Sequence, residues 1–441
     1  MANKSDDPPD SLRDEPIANL APGAFAIVFS VSLVTAIGNT GMQSVLPDIG
    51  RAIGIKDALV AAIYSLSALL WAIAAPLWAE KADVRGRKPM IMMGLVGFVI
   101  SMLLCTAVIY LGANKFLPPL VVFFLFLLAR ALFGWFGSAA PSASQAYLAE
   151  RTDRDKRTDA IAGLAGAFGL GTIIGPAIAP IFLLPVIGVA GPTLGFALIA
   201  ATVLIWVMLK LPEAWPPPAH RATQAAKAAG PKPAPMWKDP RVRPFLVYGL
   251  LVSACQTAQY QTLGFMVIDK LGEGGHFIAA AMIAGAVAGL FAQWGLIRVF
   301  KMSPRMLLRW GVVLAGAANV MTAFIPSYGM IVAAFALSSL GYGFARPGFS
   351  AGASLAVDQK DQARAAGAVA SIMGLNVVAA PLFVLAYDYF PPAPYLVNVA
   401  ILGAMLIYVF KEPLLRYAGQ KPTTEGETAK SVERNSGSSG F

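Results

Sequence analysis

The sequence is poor in charged residues and in the residues that build metal or disulfide sites. Only 13% of its 441 residues are Asp, Glu, Lys or Arg, whereas soluble domains carry roughly 25%. Both cysteines, Cys105 and Cys255, fall inside apolar runs, so we expect no disulfide framework. Two histidines without a Cys/His cluster predict no metal site. Because we find no nucleophile–base pair and no phosphate-binding loop, the sequence predicts neither an enzyme nor a cofactor.

Apolar residues make up 57% of the chain, and they gather in runs of about 20 residues. A run of that length crosses the hydrocarbon core of a bilayer as one α-helix. The pattern predicts an all-α membrane protein in lipid, with twelve transmembrane helices in two pseudo-symmetric six-helix bundles. We expect the spans at 23–47, 57–78, 89–111, 118–142, 159–184, 188–210, 244–268, 277–299, 306–325, 328–350, 363–386 and 394–412.

A segment rich in proline, alanine and lysine separates two sets of six runs. Such a composition builds no apolar core, so it indicates a linker. The expected divisions are a tail (1–22), an N-terminal bundle (23–210), a cytoplasmic linker (211–243), a C-terminal bundle (244–416) and a disordered tail (417–441). Residues 134–163 and 341–367 each hold a glycine–aromatic cluster, then a proline, then a basic cluster, which indicates internal duplication.

The net charge of +10 is unevenly spread along the chain. Most Lys and Arg residues fall in alternate connections, on the side of the membrane that also holds both termini. By the positive-inside rule we expect both termini in the cytoplasm and the protein in a bacterial inner (plasma) membrane. The charge therefore indicates topology, and we expect no nucleic-acid partner.

A short charged stretch, Trp78–Met90, joins the second and third runs and is expected to form a tight, turn-rich loop. Its residues Asp83, Gly86, Arg87 and Lys88 resemble the loop after the second helix of the major facilitator superfamily, although Ala79 and Val84 depart from that pattern. The resemblance implies a conformational latch. In it, Asp83 faces a helix N-terminus of the other half, where an anion is favoured, and Arg87 pairs with Glu150 or Asp153. The alternative is an ordinary basic loop.

Arg130 lies in the middle of the fourth run. A cation at the bilayer centre costs about 2.5–3.5 kcal/mol on insertion scales, so it is a functional hypothesis by default. Its spacing to Gly134 resembles the fourth-span motif of the drug/proton antiporter branch of the same superfamily, with Phe133 where that branch has Gln. The alternative is an arginine whose donors are satisfied by backbone carbonyls between helices.

The fifth run carries glycines at every third or fourth position and then Pro176. Small residues at this spacing let two membrane helices approach closely, and proline adds a kink. In this position the stripe resembles the antiporter motif of the same branch, which implies a packing hinge at Gly171, Gly175 and Pro176. Without the resemblance it would indicate ordinary helix packing.

Amide and tyrosine side chains are spaced along the first and seventh runs so that they share helix faces. Because amides in hydrocarbon need partners, they either join helices or face a substrate. Together with Arg130, the predicted substrate wall comprises Asn39, Gln43, Gln256, Gln259, Tyr260, Arg346 and Asn376.

No Asp or Glu lies in the middle of any run, although a proton-coupled carrier usually needs a titrating group in its pathway. The candidates for proton coupling are Arg130, Asp388 and Asp48, the two acids being at the outer ends of spans. For Asp48, which follows Pro47, helix capping is the alternative. Arg130 and Arg346 without a deep acid favour an anionic or zwitterionic substrate over a cation.

The motifs together identify the chain as resembling a major facilitator superfamily transporter of the drug/proton antiporter type. The resemblance implies a monomer that exports small amphiphilic compounds in exchange for protons by alternating access. A uniporter or importer of an organic anion on the same fold stays open because no mid-span carboxylate was found. The third reading is a membrane receptor that does not transport.

Overall fold

The computed structural model describes residues 20–152, 154–213, 236–272, 274–324, 327–357, 361, 365, 367–369, 371–372, 376–416 and 418. These residues are helical apart from short connections, with no β-strand among them and one isolated bridge between Leu184 and Gly188. Most of the predicted linker and nearly all of both predicted tails lie outside the described residues.

The main helices among the described residues follow in chain order. They are α1 (Ala24–Ile53), α2 (Asp57–Arg85), α3 (Arg87–Ala113), α4 (Pro119–Arg151), α5 (Arg154–Ile178), α6 (Gly191–Lys210), α7 (Arg243–Leu271), α8 (Gly275–Val299), α9 (Pro304–Phe324), α10 (Tyr328–Leu355), α11 (Ala380–Tyr389) and α12 (Ala393–Lys411). Single turns at Met236–Lys238, Asn376–Ala379 and Pro413–Arg416 flank them.

Nine of the described helices are long and apolar enough to cross a membrane. The chain is therefore an all-α integral membrane protein, as its apolar runs predict. The nine exclude α5, α7 and α11. Of these, α7 has 29 residues, and its serine, threonine and glutamine side chains make it too polar. The count of twelve spans stays a prediction.

The connection between α2 and α3 corrects the expected loop. Instead of a turn-rich stretch, α2 continues through the charged residues to Arg85, and α3 begins at Arg87. Only Gly86 lies between them, with φ at +100°, a backbone conformation that glycine adopts without a steric penalty. Alanine, glutamate, lysine and arginine are good helix formers, so nothing stops α2 before that glycine.

Within the N-terminal half, α5 packs against α1 through glycines. A Cβ atom added to Gly175 would lie 2.6 Å from Thr40 Oγ1 and 2.8 Å from the Gly41 nitrogen. One added to Gly171 would lie 2.8 Å from the Leu33 carbonyl oxygen. The stripe therefore brings two backbones into contact, as small residues do between membrane helices. Its role as a hinge stays a prediction.

The fourth helix contains a π-helical turn at Phe133–Gly137, which begins three residues after Arg130. A Cβ on Gly134 would lie 2.9 Å from Ser67 Cα, so α4 and α2 touch here along their backbones. Side chains of α2 and α3 bind the carbonyls of this region: Ser67 Oγ donates to Arg130 O at 3.0 Å and Ser101 Oγ to Ala129 O at 2.6 Å. These contacts fix the turn that carries Arg130, and π turns are frequent at functional sites.

Two apolar clusters show how the halves meet. We call the end of the protein that carries Gly86 the loop end and the opposite end, which carries the α1–α2 connection at Gly54, the distal end. The first cluster joins the N-terminal half to the distal parts of α7, α8, α10, α11 and α12. The second contains only the C-terminal half and lies toward its loop end. Among the described residues, the buried apolar cluster that the two halves share therefore lies at the distal end.

Candidate transport pathway

Arg130 is buried inside the N-terminal half, with 1% of its surface exposed. Its Nη2 donates to the side-chain oxygen of Asn39 at 3.2 Å, which joins two of the predicted substrate residues. Nε and Nη1 have no acceptor among the described residues. A guanidinium has five N–H donors, so the three carried by these two nitrogens are unpaired.

Aromatic rings cover the Arg130 guanidinium. Its Cζ lies 4.6 Å from the ring centre of Phe133 and 4.9 Å from that of Tyr64, within range of a cation–π contact. The Tyr64 hydroxyl donates to the Asn39 backbone oxygen at 2.6 Å. These contacts hold Tyr64 of α2 over the arginine, beside the same stretch of α1 that binds Nη2.

The predicted substrate residues of α7, Gln256, Gln259 and Tyr260, differ in their burial. Gln256 and Tyr260 are half-buried, and Tyr260 packs on Phe335 of α10 with ring centres 5.4 Å apart. Gln259 is 3% exposed, and its Oε1 has no partner among the described residues. Gln43 of α1 reaches across to the other half, where its Nε2 donates to Gln261 Oε1 at 3.4 Å.

The remaining predicted wall residues lie in the C-terminal half. Arg346 of α10 is exposed. It lies on the same helix face as Tyr342, one turn away, and Ser339, two turns away. Asn376 begins the turn before α11, and it is 4% exposed with no acceptor for Nδ2 among the described residues. The structure thus joins Arg130 to Asn39 and leaves Gln259 and Asn376 buried with unpaired polar atoms.

Polar contacts between the halves gather at the distal end. Asp48 Oδ2 accepts a hydrogen bond from the Gly275 nitrogen at 2.6 Å, so it caps the first turn of α8 from the other half. Arg51 bonds Asp57 of its own half at 2.7 Å and Asp269 of α7 at 2.6 Å. Sequence reasoning missed Arg51 and Asp57. Their one signal was opposite charges on either side of the Gly54 turn.

Asp388 lies at the end of α11, at the same distal end as Arg51 and Asp269. Its neighbour Tyr387 donates a hydrogen bond from its hydroxyl to Asp269 Oδ2 at 2.7 Å. Partial burial raises the pKa of Asp388 above its ordinary value, and the neighbouring Asp57 carboxylate raises it further, while Arg51 opposes the shift. The nearby Ala58 backbone N–H also opposes the shift, so Asp388 lies beside the first turn of α2, which belongs to the other half.

At the loop end, Arg87 lies against Glu150, with its Nε and Nη2 at 2.9 and 2.5 Å from one carboxylate oxygen. Their side chains are 8% and 14% exposed. Lys88 Nζ donates to the Met208 carbonyl at 3.0 Å. All of these contacts lie inside the N-terminal half. The side chain of Asp83 and all of Asp153 lie outside the described residues, and among those described no three His, Cys, Asp or Glu converge as metal ligands would.

A sequence-family comparison decides the family. The profile of the Major Facilitator Superfamily matches residues 28–381, most of the chain. The chain belongs to this superfamily. Membership makes it a transporter and not an enzyme, and it makes the chain a multi-pass membrane protein. A search of curated proteins finds no significant match.

Solved structures of major facilitator transporters share the fold. The human organic anion transporter MFSD10 (TETRAN) is 18% identical with a TM-score of 0.61, covering 88% of this chain and 100% of its own. A POT family transporter in complex with 5-aminolevulinic acid is 13% identical with a TM-score of 0.70, covering 93% and 99%. The peptide transporter POT in complex with sulfate is 13% identical with a TM-score of 0.68, covering 92% and 97%. At these identities the likeness shows the fold alone.

Proposed function

We propose that this major facilitator transporter exports small amphiphilic compounds that carry a negative charge, by alternating access. The observation that carries the proposal is Arg130. It is 1% exposed, it has two guanidinium nitrogens without an acceptor, and no described carboxylate lies against it. A buried cation without an anion is costly, so an anionic group on the cargo is the partner that this site lacks.

The surroundings of Arg130 suit an amphiphile. A hydrogen bond to a charged group contributes about 1.5–3 kcal/mol, which is enough to select an oxyanion over a neutral group. Tyr64 and Phe133 offer apolar ring faces directly beside the guanidinium, and Asn39 adds an amide. The human relative that shares the fold is an organic anion transporter, in accord with this substrate class.

The contact pattern between the halves supports access from the loop end. The described side-chain hydrogen bonds between the halves lie toward the distal end, among them Gln43–Gln261, Arg51–Asp269 and Asp48–Gly275. The shared apolar cluster lies there too, while Arg346 toward the loop end is exposed. If the basic loop end is cytoplasmic, as the positive-inside rule predicts, this conformation opens toward the cytoplasm.

Several finer features belong to the same proposal. The superfamily fold implies twelve spans in two six-helix halves. The charge pattern implies that both termini are cytoplasmic, and the resemblance implies a monomer. The Arg87–Glu150 pair would act as the fixed part of a latch that closes the loop end when the halves rock. Gly171, Gly175 and Pro176 would serve as its hinge.

Export in exchange for protons rests on the motifs of α4 and α5, which resemble those of the drug/proton antiporter branch. One observation favours a second candidate, uniport or import of an organic anion. No described Asp or Glu lies in the middle of a span, and the nearest acids, Asp48, Asp57, Asp269 and Asp388, lie at the distal end. In that case Arg130 would bind the cargo and no proton would move.

Transport by proteoliposomes tests both the substrate class and the coupling. We would offer three amphiphiles on one scaffold, which differ only in a carboxylate, a carboxamide or an amine, and follow the lumenal pH with a dye. The proposal expects the carboxylate to be transported best and protons to move counter to it. Arg130→Ala should abolish the preference, whereas Arg298→Ala, an exposed loop-end arginine, should keep it. Preference for the amine would contradict the substrate class, and carboxylate transport without proton movement would select the second candidate.

A further inference from the structure

Two buried amides of the C-terminal half make no hydrogen bond with any described residue. Gln259 of α7 is 3% exposed, and Asn376, which begins the turn before α11, is 4% exposed. Gln259 Oε1 and Asn376 Nδ2 are fully enclosed without a partner. An amide carries two N–H donors and an oxygen with two lone pairs. Each of these side chains therefore has both donor and acceptor capacity that is not used.

Other buried amides of the same half join helices. Asn398 of α12 donates to the Cys255 carbonyl of α7 at 3.1 Å and to Asn319 Oδ1 of α9 at 2.9 Å. Buried polar groups are normally paired in this way, because an unpaired one bears its full desolvation cost. Gln259 and Asn376 do not join helices, which leaves water or cargo as their partner.

The two unpaired amides lie at one depth on neighbouring elements. Both α7 and α11 run toward the distal end, where Tyr387 of α11 bonds Asp269 of α7. Asn376 and Gln259 precede that bond by nearly the same number of residues along their segments. The turn that begins at Asn376 also packs on α7. We call Gln259 and Asn376 the amide subsite.

The backbone at the amide subsite is irregular. Asn376–Ala379 form a single 3-10 turn inside the predicted eleventh span, and α11 follows with Pro381 in its first turn. Proline has no N–H and interrupts α-helical hydrogen bonding. Non-helical backbone at membrane depth occurs where it is buried in protein or lines a cavity, and broken helices form many transporter sites near the bilayer midplane.

The amide subsite lies at a depth similar to that of Arg130. The turn at Asn376 packs on α2 of the N-terminal half, whose Tyr64 covers the Arg130 guanidinium. At 1.5 Å of rise per residue, Arg130 and Gln259 are both roughly 16–18 Å from the distal ends of their helices. The unpaired cation and the unpaired amides thus belong to opposite halves at one level of the membrane, where a single cargo molecule can contact both.

We propose that the amide subsite binds a second, uncharged polar group of the cargo, either a hydroxyl or a carboxamide. Such a group both donates and accepts hydrogen bonds, so it can donate to Gln259 Oε1 and accept from Asn376 Nδ2. A carboxylate only accepts and an ammonium only donates, so neither satisfies both amides. The cargo is then an organic anion that also carries a hydroxyl or an amide. This inference rests on the function proposed above, because it adds a second contact to the same cargo.

Binding to the purified full-length protein tests the amide subsite. The probes are medium-chain carboxylates with one hydroxyl at successive positions, each matched to an analogue with a methyl group in its place. At the position that reaches the subsite, we expect the hydroxyl to tighten binding by roughly 2- to 12-fold for each hydrogen bond formed. Gln259→Met and Asn376→Leu should each reduce this ratio, yet keep the preference for a carboxylate over its carboxamide analogue.

Three further variants make the test specific. Arg130→Met should show the reverse pattern, losing the carboxylate preference while keeping the hydroxyl-to-methyl ratio. Asn376→Ser retains a donor and an acceptor, so it should keep part of the ratio that Asn376→Leu loses. Gln293→Met, which removes an exposed amide of α8, should change neither preference.

Thermal stability separates cargo recognition from a structural role. Because neither amide has a partner in the described protein, replacing it with an apolar side chain of similar size should not lower the melting temperature. A Gln259→Met or Asn376→Leu protein that melts earlier than the parent, or does not fold, would show that the amide is paired within the protein and would overturn the proposal.

The amide subsite and the proposed function fail in different ways. If no hydroxyl position improves binding, or if Gln259→Met and Asn376→Leu both keep the parental ratio, the subsite is wrong and the Arg130 site stands. If the parent shows no preference for the carboxylate, or Arg130→Met retains it, the proposed substrate class fails whatever the hydroxyl ratio is.

Discussion

Replacing Gly175 by alanine tests the packing between α1 and α5, on which the geometry of the pathway depends. The added Cβ would lie 2.6 Å from Thr40 Oγ1 and 2.8 Å from the Gly41 nitrogen, whereas ordinary contacts begin at 3.4 Å. The two helices must therefore separate by roughly 0.8 Å at this point. Overpacking of this kind costs about 1–3 kcal/mol. Because Asn39 lies on the same part of α1, the shift should also disturb its bond to Arg130.

The matched control is Gly403→Ala in α12, where an added Cβ meets nothing within 4 Å. Both variants gain the higher helix propensity of alanine, up to about 1 kcal/mol, so the difference between them isolates the packing cost. Thermal unfolding of purified protein in detergent should place Gly175→Ala about 1–3 °C below Gly403→Ala. Equal melting temperatures would show that α5 does not press on α1 as described.

Three further outcomes follow. Arg87→Ala should lower the free energy of unfolding by about 1.5–3 kcal/mol because it removes the shorter of the two ion pairs of Glu150 and leaves only Arg151, at 3.5 Å. A denaturant titration that finds no loss would argue against a bonded pair. Tyr64→Phe removes the hydroxyl that bonds the Asn39 backbone oxygen. It should raise KM for an anionic cargo, while the free energy of unfolding falls by only about 0.5–1.5 kcal/mol. An unchanged KM would show that Tyr64 does not contribute to cargo binding. The raised pKa of Asp388 means that its ionisation opposes folding. The difference in unfolding free energy between Asp388→Asn and the parent should therefore grow as pH rises above the ordinary aspartate pKa, and then level off. A difference that does not depend on pH would contradict the raised pKa.

The sequence was most informative about the helices themselves. The expected spans at 89–111 and 394–412 correspond to Arg87–Ala113 and Ala393–Lys411, because bilayer thickness fixes the length of an apolar run. It was wrong between Trp78 and Met90. The charge of this stretch predicts a loop, but the stretch extends α2 beyond the apolar run until Gly86.

The π turn after Arg130 could not be predicted. Its position depends on how Gly134 meets α2 and on hydrogen bonds that Ser67 and Trp78 of α2 donate to carbonyls of α4. None of these partners is local in sequence. The hydrophobic periodicity of the sequence predicts a helix, but it does not reveal a turn that contains one extra residue.

The candidate site was predicted in part. Arg130 could be singled out because a cation in an apolar run is rare, and its spacing to Gly134 indicated the helix. Its aromatic cover and its bond to Asn39 needed the packing of α1, α2 and α4. The contact between Arg51 and Asp269 was harder still to predict, because it depends on the register between the two halves.

The central claim is that the free donors of Arg130 hold the anionic group of the cargo. The most direct measurement is a thermodynamic cycle of binding affinities, with a carboxylate and its carboxamide analogue on the purified parent and on Arg130→Met. The account predicts that the parent binds the carboxylate more tightly by about 1.5–3 kcal/mol, roughly 10- to 150-fold, and that the variant binds both equally. A preference for the carboxylate that survives in Arg130→Met would contradict it.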